Sequence, residues 1–266
     1  MIVVNNLSFR YLPHLPPVFT KLDLAIDNLS WVALIGPDGS GKTTLAKLIK
    51  GFLTADSGFI NFDPAGSVGW ADIGYIGGDP YDSLVGISVE EDIIFGLENF
   101  CFSVPEIKTR LARALSWTGL TGMEKRLVHT LSGGEQQRLA LAGVLATGAR
   151  IFILDEALAM LDRLAREAIR SLLGMLRYDP GATIIEITQN LDEALQTDRV
   201  LFLSEGSIHF DGCPEDFFSS PFGNLWSSMT PGLAGLMGEM QREGVALDGN
   251  VKISEFRHFL INSFKA

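Results

Sequence analysis

Apolar and polar positions alternate in blocks along this chain, and the blocks predict elements of two kinds. Short apolar runs bounded by turn residues read as strands: residues 1–11, 31–35 ("WVALI"), 57–63, 74–76, 151–154 and 182–188. Longer segments with helix start and stop signals lie between them. One helix follows residue 41 and runs to about Ile49. "SVEEDIIFGLEN" opens with Ser88 and Glu91 in capping-box spacing, where each satisfies an orphan backbone donor of the other. The next helix carries Pro105 in its first turn and Gly119 past its end. Others are read at 132–148, about 162–177 and 190–196. "RVLFLSEGSIHFDG" reads as a hairpin turning at Glu205-Gly206.

Strands alternating with helices imply a largely parallel sheet covered on both faces. The helices between 88 and 147 have no strand among them and are expected to form a separate lobe, about 85–147. After Cys213-Pro214 no strand pattern remains, and residues 216–266 read as a small C-terminal helical extension behind a main domain at 1–215. The chain's 266 residues suit one large domain with an appendage, and 47% hydrophobic residues can fill its core. No apolar run approaches the roughly 18 residues of a membrane span. The start lacks the basic and apolar regions of a signal peptide, and the two cysteines form no disulfide framework, so a reduced, cytosolic setting is expected. A net charge of −11 argues against nucleic acid or an anionic membrane surface as the main partner.

"GPDGSGKTT", Gly36 to Thr44, changes the picture. Gly36, Gly41, Lys42 and Thr43 fit the spacing of a phosphate-binding loop, after an apolar strand and before a helix. Glycines there let backbone N–H groups converge on phosphate oxygens, and the helix N-terminus adds its positive end. Lys42 is placed to reach the terminal phosphates, and the Thr43 hydroxyl to ligate Mg²⁺. Residues 151–156 then acquire a meaning: a buried strand ends in two acids because two jobs are needed. Asp155 holds the metal, and Glu156, one residue on and pointing differently, serves as general base toward the attacking water. "LSGGEQQR", Leu131 to Arg138, starts a helix with Ser132 and Glu135 in a capping box. A serine and two glycines at a helix N-terminus also make an anion site.

The phosphate loop, "LSGGEQQR" and "ILDE", in this order and spacing, resemble the ATP-binding-cassette (ABC) ATPases over about residues 1–216. The resemblance implies an α/β P-loop fold: a RecA-like, mostly parallel core with an antiparallel β subdomain and a helical subdomain. It implies ATP and Mg²⁺ as ligands, held by Tyr11, stacking on adenine, and by Gly36, Pro37, Asp38, Gly39, Ser40, Gly41, Lys42, Thr43 and Thr44, with Thr43 and Asp155 at the metal. Catalysis would fall to Glu156, Lys42 and Gln189. Two cassettes would pack head to tail, so Leu131, Ser132, Gly133, Gly134, Glu135 and Gln136 would face a nucleotide held by the partner. Leu161 and Asp162 would lie in the dimer-contact loop, although the polar residues expected before them are Ala157, Leu158 and Ala159 here. "SVEEDIIFGLEN" and "LSEGSIHFDGCPEDFF" are similar to the ATPase subunits of energy-coupling-factor importers for vitamins and transition-metal ions. That implies an integral membrane partner, no nucleic acid, and a peripheral place on the cytoplasmic face of the membrane.

Two side chains depart from the family's pattern. A glutamine expected after residues 74–76 is Gly78, and a histidine expected after residues 182–188 is Gln189. Gln189 can donate a hydrogen bond but cannot take up a proton. Both departures fall on the chain's own nucleotide face, while the signature is intact. The expectation is therefore one half of an asymmetric heterodimer with a slow site of its own. The rival is that Gln189 and a nearby group such as Asp79 suffice. A non-hydrolysing, ATP-gated subunit and a soluble cassette ATPase remain as alternatives.

Overall fold

The structure is a computed structural model, and it describes residues 1–62, 69, 72–178 and 181–223. In chain order, β1 (Ile2–Phe9), β2 (Phe19–Ile26) and β3 (Trp31–Ile35) lead into α1 (Lys42–Lys50), followed by β4 (Ser57–Phe62) and β5 (Ile73–Ile76). Three helices follow: α2 (Val89–Asn99), α3 (Val104–Thr118) and α4 (Gly133–Thr147). Then come β6 (Ile151–Asp155), α5 (Arg163–Tyr178), β7 (Thr183–Ile187), α6 (Leu191–Ala194), β8 (Arg199–Ser204), β9 (Ser207–Gly212) and α7 (Pro214–Ser219).

Six strands form one sheet in the order β5-β6-β7-β3-β8-β9, parallel except for the β8–β9 hairpin. Every residue of β3, β6 and β7 is buried, as continuous apolar strands at the centre of a sheet covered on both faces should be. A second sheet, antiparallel in the order β2-β1-β4, shares a core with α1 and one face of the large sheet through Leu7, Phe19, Leu45, Ile49, Ile153 and Leu201. The other face packs on α4 and α5 through Phe152, Leu154, Leu141 and Leu173. Helices α2, α3 and α4 have a core of their own, built on Val89, Ile93, Leu97, Leu115 and Leu139.

The local stop and start signals operate as read. Ser88 with Glu91 and Ser132 with Glu135 form complete capping boxes, and Gly119 caps α3 in the left-handed conformation. Strand β2 was not among the expected strands. Lys21 and Asn6 both take positive φ, at 52° and 48°, and the β1–β2 register shifts between Val4 and Phe9. Bulges of this kind break the period-two pattern that marks a strand. The first strand also ends earlier than expected, at Phe9, so Tyr11 stands two residues beyond it. Most of the expected C-terminal extension, residues 224–266, lies outside the described residues.

Candidate functional site

The site lies where the C-terminal ends of β3, β6 and β7 meet, the place where open parallel sheets bind ligands. The loop from Gly36 to Gly41 leaves β3 and enters α1. Glycine is required at both ends. A Cβ on Gly36 would lie 1.9 Å from the Leu203 carbonyl oxygen, and one on Gly41 2.8 Å from the ring of buried Phe19. Lys42 folds back, its Nζ donating to the carbonyl oxygens of Gly36 (2.8 Å) and Pro37 (2.9 Å). Burial pushes its pKa below the usual lysine value, while Asp38, Glu156 and Asp155 pull it back up. Ser40 Oγ is buried with no hydrogen-bond partner among the described residues. A buried hydroxyl in a phosphate loop suits an anion with spare acceptor oxygens.

The two acids separate in space. Asp155 is buried. Its Oδ1 accepts from Thr43 Oγ1 (3.1 Å) and its Oδ2 from the Tyr75 hydroxyl (2.8 Å). Glu156 turns away because its backbone is left-handed, with φ at 56°, held by its N–H bonding to Ile187 O (3.0 Å). Such a conformation in a non-glycine residue costs on the order of 1–3 kcal/mol and is sustained by its surroundings. It leaves the Glu156 carboxylate exposed on the loop side of the sheet. One carboxylate and one hydroxyl, both hard oxygen donors, would suit Mg²⁺.

Gln189 closes the far side. Its Nε2 donates to Glu156 Oε1 and to Asp38 Oδ1, each at 3.0 Å, so one amide spans the cleft from the β7 end to the phosphate loop. Gly78 lies against the acids: a Cβ built on it would stand 3.5 Å from Asp155 O and 3.6 Å from Glu156 Cβ. The neighbouring Gly77 carbonyl accepts from Gln137 Nε2 (3.0 Å), which ties this loop to the helical lobe. Asp79 spends an oxygen on the Tyr81 N–H (3.0 Å), capping a single turn at Pro80–Asp82. Tyr11 is half-exposed beside α1. Its hydroxyl is 2.9 Å from Thr44 Oγ1, and Phe9 supports its ring edge-on at 5.1 Å.

The signature residues sit apart from this cleft. Ser132 caps α4, and its N–H and hydroxyl both donate to Glu135 Oε2 (2.7 and 2.9 Å). Arg126 donates to the other Glu135 oxygen at 2.8 Å. The Ser132 N–H first, then its hydroxyl and Arg126, hold the Glu135 carboxyl below the usual carboxylate value. Leu131 and Gln136 are buried beneath, while Ser132 and Gly133 face outward. Gly133 and Gly134 lie against Met160, in the segment that carries Leu161 and Asp162. Leu161 is buried, and Asp162 Oδ1 accepts the Ala165 N–H at the start of α5.

Sequence reasoning missed Tyr75 and Gln137. Tyr75 sits in an unremarkable apolar strand, and no local pattern marks its hydroxyl as a partner for a carboxylate 80 residues on. Gln137 is in the octapeptide already singled out, and its full burial was the signal that only the structure supplies.

Residues 19–159 match the family model described as ABC transporter. Among curated proteins, the chain is 43% identical over 232 residues to the energy-coupling factor transporter ATP-binding protein EcfA1 of Ligilactobacillus salivarius (strain UCC118). That match covers 82% of this chain and 79% of the relative. It is 40% identical over 226 residues to the protein of the same name from Leuconostoc mesenteroides, with 82% of each covered. Among solved structures, cbiO1 from Clostridium perfringens, part of the ABC transporter complex cbiONQ, superposes with a TM-score of 0.73 at 28% identity. That superposition covers 91% of this chain and 98% of cbiO1.

Proposed function

The chain belongs to the ABC transporter family of ATPases, and on that premise we propose that it is the ATP-hydrolysing subunit of an energy-coupling-factor importer for a vitamin or transition-metal ion. The observation that carries the reading is the convergence of Lys42, Thr43, Asp155, Glu156 and Gln189 on one cleft. The Tyr11 ring would stack on adenine, and the residues from Gly36 to Thr44 would cradle the phosphates. Thr43 and Asp155 would hold Mg²⁺, which neutralises charge on the phosphate oxygens. Glu156 would take the proton of the attacking water, and Gln189 would donate to the γ-phosphate. In this reading residues 1–215 are the nucleotide-binding unit and 216–266 an appended helical extension.

The partner we favour is a second, different ABC ATPase subunit. Gly78 offers no side chain toward the attacking water and Gln189 cannot be protonated, so this chain's own site turns over slowly. Ser132, Gly133 and Gly134 complete the faster site of the other subunit. An integral membrane subunit is the second partner. Its docking face is supported by exposed Tyr81, Val85 and Ile87, in a segment where Asp92 Oδ1 accepts the Val85 and Gly86 N–H groups (2.7 and 2.8 Å). Held by that integral subunit, the chain would sit peripherally on the cytoplasmic face; among the described residues no helix is long and apolar enough to cross a membrane.

The test is Mg-ATP turnover by the full chain over a wide concentration range, with Glu156→Gln as control and ATP binding followed in parallel. Turnover that rises with concentration and vanishes in the variant is expected of a hydrolytic dimer. Tight binding without any Glu156-dependent turnover, here and in an assembly with a second cassette, would establish an ATP-gated regulatory subunit instead. In an assembled heterodimer Glu156→Gln is expected to remove only a minor share of the activity, and near-total loss overturns the asymmetry.

A further inference from the structure

Arg166, in the first turn of α5, grips the segment after Glu156 from within. Its Nε donates to Leu158 O (3.1 Å), and one terminal nitrogen donates to Ala159 O (3.3 Å) and Leu161 O (3.0 Å). The other terminal nitrogen pairs with Glu193 Oε1 at 3.3 Å. Glu193 is buried. Its Oε2 accepts from Thr188 Oγ1 (2.6 Å) and its Oε1 from Asn190 Nδ2 (3.3 Å). Thr188 immediately precedes Gln189, and Gln189 returns to Glu156. The contacts therefore form a closed ring: Glu156, residues 157–161, Arg166, Glu193, Thr188, Gln189, and back to Glu156.

The ring borders a cavity of about 300 Å³ whose walls include Leu154, Ala157, Ile187 and Glu186. Ala157, Leu158 and Leu161 are packed in the apolar core, and the polar contacts of Arg166 and Glu193 link that packed loop to the end of β7. A change at one end must either be passed on through them or break them. Arginine's rigid fork can serve three carbonyls and a carboxylate at once, which a lysine ammonium cannot.

We propose that Arg166 and Glu193 are positioning residues that transmit the seating of residues 157–161 against a second cassette to Gln189 and Glu156. The proposal rests on the reading of a dimer-facing loop, and its first test needs neither a partner nor hydrolysis. The Ala159 and Leu161 amides bond to Glu156 O and Leu158 O, so their hydrogen exchange reports opening of the loop. In the full-length chain Thr188→Val, at the far end of the ring, should speed their exchange by about tenfold, and Thr188→Ser should restore the wild-type rate. Faster exchange confined to residues 188–193 would overturn the relay.

The second readout is single-turnover ATP hydrolysis. Glu193→Gln and Arg166→Lys should each lower the rate by about tenfold with ATP affinity unchanged within about twofold, and the double variant should lose no more than either alone. Losses that multiply, or that appear in affinity alone, would overturn it. A wild-type chain inactive both alone and in an assembly with a second cassette would count against the hydrolytic reading while the exchange result still decides the relay.

Discussion

At the scale of single residues, Gly78 and Gln189 sit on the nucleotide face at positions whose geometry accepts substitution. Gly78 has an ordinary backbone, and a Cβ there meets its neighbours at van der Waals distance. Gly78→Gln should therefore be accepted without strain and place an amide beside Asp155 and Glu156. Gln189→His would place a titratable group against Glu156 and Asp38, where the amide now donates. The double variant is expected to raise the chain's own turnover by about a hundredfold, the low end of the range that a positioned acid–base group contributes. It should also introduce a pH dependence above the free histidine value of about 6.5, because the flanking Glu156 and Asp38 carboxylates favour the imidazolium. Steady-state ATPase against pH checks both, and an unchanged rate would mean that Gly78 and Gln189 do not limit the site.

At the scale of elements, the start of α4 does two things with one set of bonds. Ser132 and Glu135 satisfy the helix's orphan donors, and the same turn presents Ser132 and Gly133 outward. Ser132→Ala should cost about 1 kcal/mol of stability, seen as a lowered melting temperature. On the proposed reading, in an assembly with a second cassette it should also slow the partner's site, since this hydroxyl would face that nucleotide. The cap is sensitive to acid. Glu135 has a folded-state pKa below its unfolded value, so its contribution is present above the unfolded value and fades as pH falls through the folded one. Melting temperatures of the wild type and Glu135→Gln should therefore converge as pH falls through that window.

At the scale of the whole molecule, α5 is bound to the sheet through a buried polar cluster. Arg170 pairs with Glu186 on β7, donates to Glu193 O (3.0 Å), and stacks over Trp31 of β3 at 4.7 Å. Trp31 Nε1 donates to the second Glu186 oxygen at 2.8 Å. Burial pushes the Glu186 carboxyl above its usual value, and Arg170 pulls it down. Arg170→Met leaves that carboxylate uncompensated and should cost about 3–5 kcal/mol in denaturant unfolding at neutral pH. The removed cation lets the folded-state pKa rise further above the unfolded value. The penalty should then shrink as pH falls and the buried carboxyl takes up a proton. A loss independent of pH would point to packing rather than charge.

What the sequence determined by itself is whatever neighbours in the chain decide. The phosphate loop, the capping boxes at Ser88 and Ser132, the stop at Gly119 and the run from buried strand to paired acids are each written within a few residues. Their geometry depends on backbone hydrogen bonds and φ angles at that range. Gly78 and Gln189 could be aligned by resemblance, but their meeting with Glu156 joins segments that are far apart in the chain. The same is true of Tyr75 with Asp155, Gln137 with Gly77, and Asp38 with Gln189, 151 residues away. Strand β2 escaped notice because its bulges are stabilised by pairing with β1 and not by its own alternation. Tertiary structure decided these features because a buried carboxylate, amide or guanidinium takes whatever partner the packed core brings within about 3 Å. Sequence spacing carries no record of that distance.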